Sequence, residues 1–318
     1  MFFIRMLLAV LALGLTGFGA NPVLAQDYPN KPIRIVTAAA GGGSDFTARQ
    51  IAQGISGPLG QPVIVDNRTA LQASEAGAKA PPDGYTLLVA GGVLWTTPLL
   101  QKTPYDISDF SPLSLLIREV SIVAVHPSVP ATSVKGLIAL AKARPGELNY
   151  GSGATGGLSH LAMELFNAMA GINTVRVAYK GIAPTMTALM SGEVQLTIND
   201  AGAVAPQAKS GKLRALAVTS AEPTPLAPGL PTMAASGLPG FEATGMTGIL
   251  APARTSAAVM NRLNQEIVRV ANRADVKERF LNSGAEVVGS SSEQFAGTIR
   301  AEVAKWGKVI KDAGIKVD

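Results

Sequence analysis

Residue patterns able to carry chemistry are few in this 318-residue chain, and they gather where strands give way to helices. Gly151-Ser152-Gly153-Ala154-Thr155-Gly156 has the form G-x-G-x-x-G. A dinucleotide site built on that fingerprint needs an acidic residue about 20 positions on, to take a ribose hydroxyl. The segment in that place, Val175-Arg176-Val177-Ala178-Tyr179, has none, so a nucleotide cofactor is not expected. Two uses of the loop remain open. Glycines let the backbone approach a ligand, free N–H groups at a helix start attract anions, and Ser152, Thr155 and Ser159 add hydroxyls beside Gly153. Equally, this is the form of a common tight βα turn with capping hydroxyls. The run Thr37-Ala38-Ala39 through Gly41, Gly42, Ser44 and Asp45 repeats the strand, glycine loop, helix-start order. Two such loops, one per half of the chain, would face each other across a cleft, and a carboxylate suits them best. Neither is followed by Gly-Lys-Ser/Thr, which excludes a Walker-type phosphate cradle.

Nucleophilic catalysis finds little support. Gly157-Leu158-Ser159-His160-Leu161 begins like a nucleophile elbow but lacks its closing glycine. Adjacent residues on a helix point in different directions, so Ser159 and His160 make a poor catalytic pair. With two histidines, His126 and His160, and no cysteine, neither a metal site nor a thiol nucleophile is expected. Tyr179-Lys180-Gly181 falls at a strand end, where ligands gather in open α/β sheets. Lys180 there is either an anion partner or a solvated surface lysine. Asn199-Asp200 ends the next strand and offers hydrogen-bond acceptors. The net charge of +5 is spread without a basic stripe, and aromatics are only 5% of residues, so nucleic acid is not an expected partner.

The elements that must position these residues follow from periodicity. Short apolar runs at Ile33–Val36, Val63–Val65 and Tyr85–Val89 read as strands, with a helix from Ser44-Asp45 to about Leu59 between the first two. The rhythm restarts at Ile122–Val125, with a helix over Val134–Ala143 and strands at Leu148–Tyr150, Val175–Val177, Val194–Ile198 and Leu213–Val218. Leu161, Ala162, Leu165 and Met169 mark a helix that begins at Leu158. Proline-rich Glu222–Pro239 reads as a connection. Two apolar stripes close the chain: Val259, Leu263, Ile267 and Val270, then Phe295, Ile299, Val303, Trp306 and Ile310. The expected fold is α/β, two-lobed, each lobe a mainly parallel sheet flanked by helices. The chain would cross between lobes near Val120–Val125 and near Thr247–Leu250, which makes a hinge. Lobe I would comprise 26–125 and 247–318, and lobe II 126–246.

The first 25 residues have a secretory pattern: Arg5, an apolar run from Met6 to Leu15, and small residues before Val23-Leu24-Ala25. That run is shorter than the roughly 20 residues of a membrane-spanning helix. A cleaved signal peptide is therefore expected, with the mature chain starting near Gln26 and lying outside the cytoplasm.

Several segments resemble the Bug family, the solute-binding proteins of tripartite tricarboxylate transporters. They are Tyr28-Pro29-Asn30-Lys31-Pro32-Ile33-Arg34, Gly41-Gly42-Gly43-Ser44-Asp45, Asp66-Asn67-Arg68, Pro82-Asp83-Gly84-Tyr85, His126-Pro127-Ser128-Val129-Pro130, Tyr179-Lys180-Gly181, Gly211-Lys212-Leu213-Arg214 and Lys305-Trp306. The resemblance runs through essentially all of the chain after residue 26. It implies a type II periplasmic binding protein that is not an enzyme and needs no cofactor. Such a protein acts as a monomer that closes on a small organic acid and delivers it to a permease of one large and one small subunit. It also implies binding residues in the Thr37–Asp45 loop, after Asn67-Arg68, in Ser152–Ser159, and near Tyr179 and Asn199-Asp200. The chain departs from the family pattern at Thr37-Ala38, where Pro-Phe is usual, and at Thr69–Gln72, where a glycine-rich run is usual. It departs again at Gly92-Val93-Leu94-Trp95, where Ser, Thr and His are frequent. These changes remove an aromatic and polar donors and bring Trp95 beside the cleft; they fit either a more apolar ligand, such as an aromatic or larger organic acid, or drift at positions outside the pocket. The other readings are a ligand-presenting sensor and a hydrolase using Ser159 and His160.

Overall fold

The computed structural model describes residues 28–316. The N-terminal secretory pattern lies outside the described residues. Among the described residues, no helix is long and apolar enough to cross a membrane.

The first sheet starts as expected. Strand β1 (Ile33–Thr37) pairs in parallel with β2 (Val63–Asn67) and β3 (Thr86–Gly91), and helix α1 (Gly43–Leu59) makes the first crossover. Alternation is weak in β1 and β3 because both faces are covered: Ile33, Ile35, Val36 and Thr37 of β1 are all fully buried. Helix α2 (Ala70–Ala78) is launched by a capping box between Thr69 and Gln72, and α3 (Val93–Leu100) follows β3 directly. After a short 3₁₀ turn comes β4 (Phe110–Glu119), the longest strand. It is followed after a single residue, buried Val120, by β5 (Ser121–Val125), which belongs to the second sheet.

The second sheet is built from α4 (Val134–Ala143), β6 (Asn149–Ser152), α5 (Leu158–Ala170), β7 (Val175–Ala178), α6 (Ile182–Ser191), β8 (Leu196–Asp200), α7 (Ala201–Lys209) and β9 (Arg214–Val218). An irregular stretch returns the chain to the first sheet as β10 (Gly245–Pro252). Helices α8 (Ala257–Ala271) and α9 (Ala274–Asn282), strand β11 (Ala285–Val287) and helix α10 (Ser292–Asp312) complete the chain.

The strand orders are β11-β4-β10-β3-β1-β2 and β7-β6-β8-β5-β9. Both sheets are mainly parallel in strand direction, as expected, and each takes in a strand from the other side that runs in reverse. β10 runs antiparallel to β3 and β4, and β5 antiparallel to β8 and β9. The physical reason is the crossing itself. A strand that arrives from the other sheet has no crossover helix and enters from the far end, so it pairs in reverse. The two connections are bonded together: Ser121 donates its N–H to Thr219 Oγ1 at 3.1 Å, and Ala243 N–H donates to Thr219 O at 3.0 Å. The return strand already pairs in the first sheet at Gly245, ahead of Thr247.

Helix α10 joins both cores. Phe295 and Ile299 pack with Trp95, Leu115 and Leu250 on the first sheet. Trp306, Val309 and Ile310 pack with Phe166, Phe241 and Leu161 on the second.

Candidate functional site

The crossing leaves a cavity of about 330 Å³ between the two sheets. Its wall comes from both sides. Gly43 and Ser44 open α1, Gly91 ends β3, and Gly92, Val93, Trp95 and Thr96 follow it. From the second sheet come Gly156, Leu158, Leu161 and Asp200. Glu119, Thr244 to Thr247, Glu302 and Trp306 line it along the connections and α10. The two helix-start loops picked out by their glycines thus reach one cavity, each through its last residues.

Most other members of those loops are held in structural bonds. Thr37 donates its hydroxyl to Val89 O at 3.0 Å within the sheet. The N-cap of α1 is Gly42. The Asp45 carboxylate accepts from Gly41 N–H (2.9 Å) and Asn67 Nδ2 (2.8 Å) and pairs with Arg49. Burial alone would raise this acid, but these hydrogen bonds outweigh it and hold Asp45 below the usual carboxylate range. Ala38 and Ser44 share a small adjoining cavity with Ala70, Ser74 and Val93; Ala39 and Gly42 complete the turn, where Gly42 N–H bonds to Ala39 O.

The second loop is braced from behind by Arg176, the side chain that stands where a dinucleotide fingerprint would want an acid. Its guanidinium donates to Ser152 Oγ (2.8 Å), Thr155 Oγ1 (3.0 Å) and Gly153 O (2.8 Å). Ser159 Oγ accepts the Gly153 N–H at 3.0 Å, and His160 Nδ1 accepts the Gly156 N–H at 3.1 Å. Burial first, and the Arg176 charge second, lower the His160 pKa to about 4, so the imidazole is neutral at pH 7. Both side chains of the would-be hydrolase pair are thus tied into loop geometry, each by its own backbone donor.

Tyr179, Lys180 and Gly181 do not reach the cavity wall. Tyr179 donates its hydroxyl to Glu193 at 2.7 Å, Lys180 is exposed, and Gly181 caps α6 with φ 109°. Asn199 is buried and its side-chain oxygen accepts the Asp200 N–H at 3.0 Å, whereas Asp200 itself lines the cavity. Of the residues expected to bind ligand, the structure brings Ser44, Trp95 and Asp200 together.

Trp95 is 2% exposed, stacks edge-on against Phe295, and its indole N–H has no hydrogen-bond partner among the described residues. Sequence reasoning missed Glu119 and Thr244. Glu119 ends β4, and its carboxyl group sits between Gly43 and Gly245. A Cβ added at those glycines would stand 3.2 and 2.8 Å from its oxygens. Burial and the neighbouring Asp200 charge push Glu119 up to about 7; burial also raises Asp200. The one available signal was an Arg-Glu pair interrupting an apolar run, with strand-like sequence on both sides.

A cavity between two α/β sheets joined by paired crossing strands defines a two-lobed solute-binding protein. Residues 47–315 match the family model described as the tripartite tricarboxylate transporter family receptor, and the chain belongs to that family. It is 34% identical over 320 residues to Protein BugT of Bordetella pertussis, with 98% of each chain covered. Among solved structures, Rpa4515 of R. palustris with adipate superposes with a TM-score of 0.75 at 35% identity, covering 91% of this chain and 99% of that one. MatC of Rhodopseudomonas palustris with bound malate gives a TM-score of 0.71 at 25% identity, covering 89% and 100%. The family is one of solute-binding receptors of periplasmic binding-protein type.

Proposed function

We propose that this chain captures a small organic acid in the cavity between its sheets and hands it to a tripartite tricarboxylate-type permease of one large and one small membrane subunit. The observation that carries this reading is the convergence of two helix starts, at Gly43-Ser44 and Gly156-Leu158, on one cavity. The first N–H groups of a helix have no partner within it and carry a positive end of the helix dipole, so together they receive a carboxylate without any lysine or arginine. A ligand that touches both loops stabilises the conformation in which they are close, and that conformation is the one presented to the permease. The relatives with bound adipate and malate support a carboxylate ligand. The protein works as a monomer in the periplasm, and the first 25 residues serve as its cleaved leader.

Two experiments test this. A thermal-shift screen of the mature protein against mono-, di- and tricarboxylates, amino acids and aromatic acids should return a hit. Ligand at 100 times its dissociation constant adds about 2.7 kcal/mol of stability. A panel without any hit overturns the carboxylate reading. Mass spectrometry of the periplasmic fraction should find a chain that starts near Gln26; an intact N-terminus there overturns the leader assignment.

A further inference from the structure

Every ionisable side chain that lines the cavity wall is a carboxylic acid. Glu119, Asp200 and Glu302 line it, and among the described residues no lysine, arginine or histidine does. Glu302 is already balanced: it accepts from Trp306 Nε1 at 2.6 Å and from Lys305. Glu119 and Asp200 are not. Among the described residues neither takes part in an ion pair. They come from opposite sides of the crossing, Glu119 at the end of β4 and Asp200 at the end of β8, where Ala201 N–H bonds to Val120 O. Two further polar groups of the wall lack partners while almost fully buried. These are the Trp95 indole N–H (2% exposed) and the Thr244 hydroxyl (3% exposed). Buried polar atoms left without a bond are rare in folded proteins and call for a partner from outside the chain.

We propose that the ligand is a neutral α-amino acid with an apolar side chain, its ammonium group seated on Glu119 and Asp200. This rests on the solute-capture reading and specifies its substrate. The Glu119 carboxyl group lies against Gly43, the first residue of α1. A carboxylate received at the start of α1 therefore has a negative group beside it. An α-amino acid sets its ammonium within one carbon of its carboxylate and satisfies both at once. A dicarboxylate brings a second negative charge to a wall that has no cation. Trp95 and Thr244 supply the remaining donor and hydroxyl. Leu158, Leu161 and Met246 leave an apolar surface for the side chain.

Isothermal titration of the mature protein with three six-carbon probes separates the charge types: 2-aminohexanoate, hexanoate and adipate. Phenylalanine is added as a second neutral amino acid. At least one of the two amino acids should bind at least tenfold more tightly than hexanoate or adipate. Glu119→Gln and Asp200→Asn should each weaken that binding at least tenfold while leaving adipate unchanged or tighter. Circular-dichroism melts check that both isosteric variants fold. Hexanoate or adipate binding as tightly as both amino acids overturns the inference, as do variants with unchanged amino-acid affinity. If only non-amino acids from the wider panel bind, the substrate assignment falls and the capture function stands. If nothing binds, both fall.

Discussion

Gly156 gives its backbone N–H to Nδ1 of His160, four residues further along in the first turn of α5. The bond holds a left-handed glycine (φ 76°) at the cavity wall and requires an unprotonated Nδ1. It makes the second helix-start loop sensitive to acid.

Because the His160 pKa is lowered from 6.5 to about 4, the folded state binds fewer protons than the unfolded state between those values. Stability from this residue is complete above pH 6.5 and is lost as pH falls toward 4. The loss is at most about 3 kcal/mol by proton linkage. Urea melts at pH 7 and pH 4.5 should show it in the native chain and not in His160→Asn, whose side-chain oxygen accepts the same bond uncharged. An equal acid loss in both proteins would remove His160 from the account.

Glu119 has the opposite sign. With its pKa raised from 4.5 to about 7, the folded state binds more protons between those values. Its contribution is present below pH 4.5 and is lost as pH rises through 7. Glu119→Gln should therefore gain about 1–2 kcal/mol over the native chain at pH 8 and little at pH 4.5. Paired denaturant titrations at the two pH values check this.

Arg176 makes three hydrogen bonds to the Ser152–Thr155 loop. Arg176→Ala leaves a serine hydroxyl and a carbonyl oxygen without their donor and should cost about 2–3 kcal/mol. Ligand affinity should fall too, since the loop start loses its backing. Equilibrium unfolding and titration calorimetry measure the two effects separately.

A Cβ at Gly156 would stand 2.1 Å from Leu100 Cδ1, and the residue's φ is positive. Gly156→Ala should cost about 1–2 kcal/mol from backbone strain and the clash with the opposite lobe. Leu100→Ala in the same chain should recover the steric part and leave the strain. A double-mutant cycle reads the difference.

Trp95→Phe keeps an aromatic ring beside Phe295 and deletes the unpartnered N–H. The ligand-free protein should change by less than about 1 kcal/mol, because the lost packing is offset by removal of a buried unsatisfied donor. Ligand affinity should fall at least threefold in calorimetry. Unchanged affinity would take the indole out of ligand recognition.

Strongly periodic segments were readable from the sequence. The spacing at Phe295, Ile299, Val303, Trp306 and Ile310 predicts the helix that α10 forms, and α4 has the expected bounds, Val134–Ala143. Strand β4 was not readable. Phe110-Ser111-Pro112 opens it with a proline, and its Leu115-Leu116-Ile117 run shows no alternation, because helices cover both faces. Missing β4 meant missing Glu119. Periodicity ranks residues by where they point, and an acid at a strand end ordinarily points to water. Only the direct passage into β5 turns that end inward. For the same reason Tyr179 and Lys180, placed at a strand end by their spacing, fall outside the cavity wall. The α/β rule locates ligands at strand ends but does not say which strand faces the crossing.

Helix α10 adds a mechanical rule to the two crossing strands. A helix of 21 residues is a rod about 31 Å long, and its halves are embedded in different cores. Rods of that length bend little without a proline or a bulge, and α10 contains no proline. The lobes are therefore not free to swing about any axis through the paired strands. Permitted motions roll one lobe around the rod or slide it along the rod's ridges, and a straight gaping motion would have to pull Trp306 out of its seat. Opening and closing is thereby reduced to something near a single coordinate, read most directly by amide exchange around Glu302.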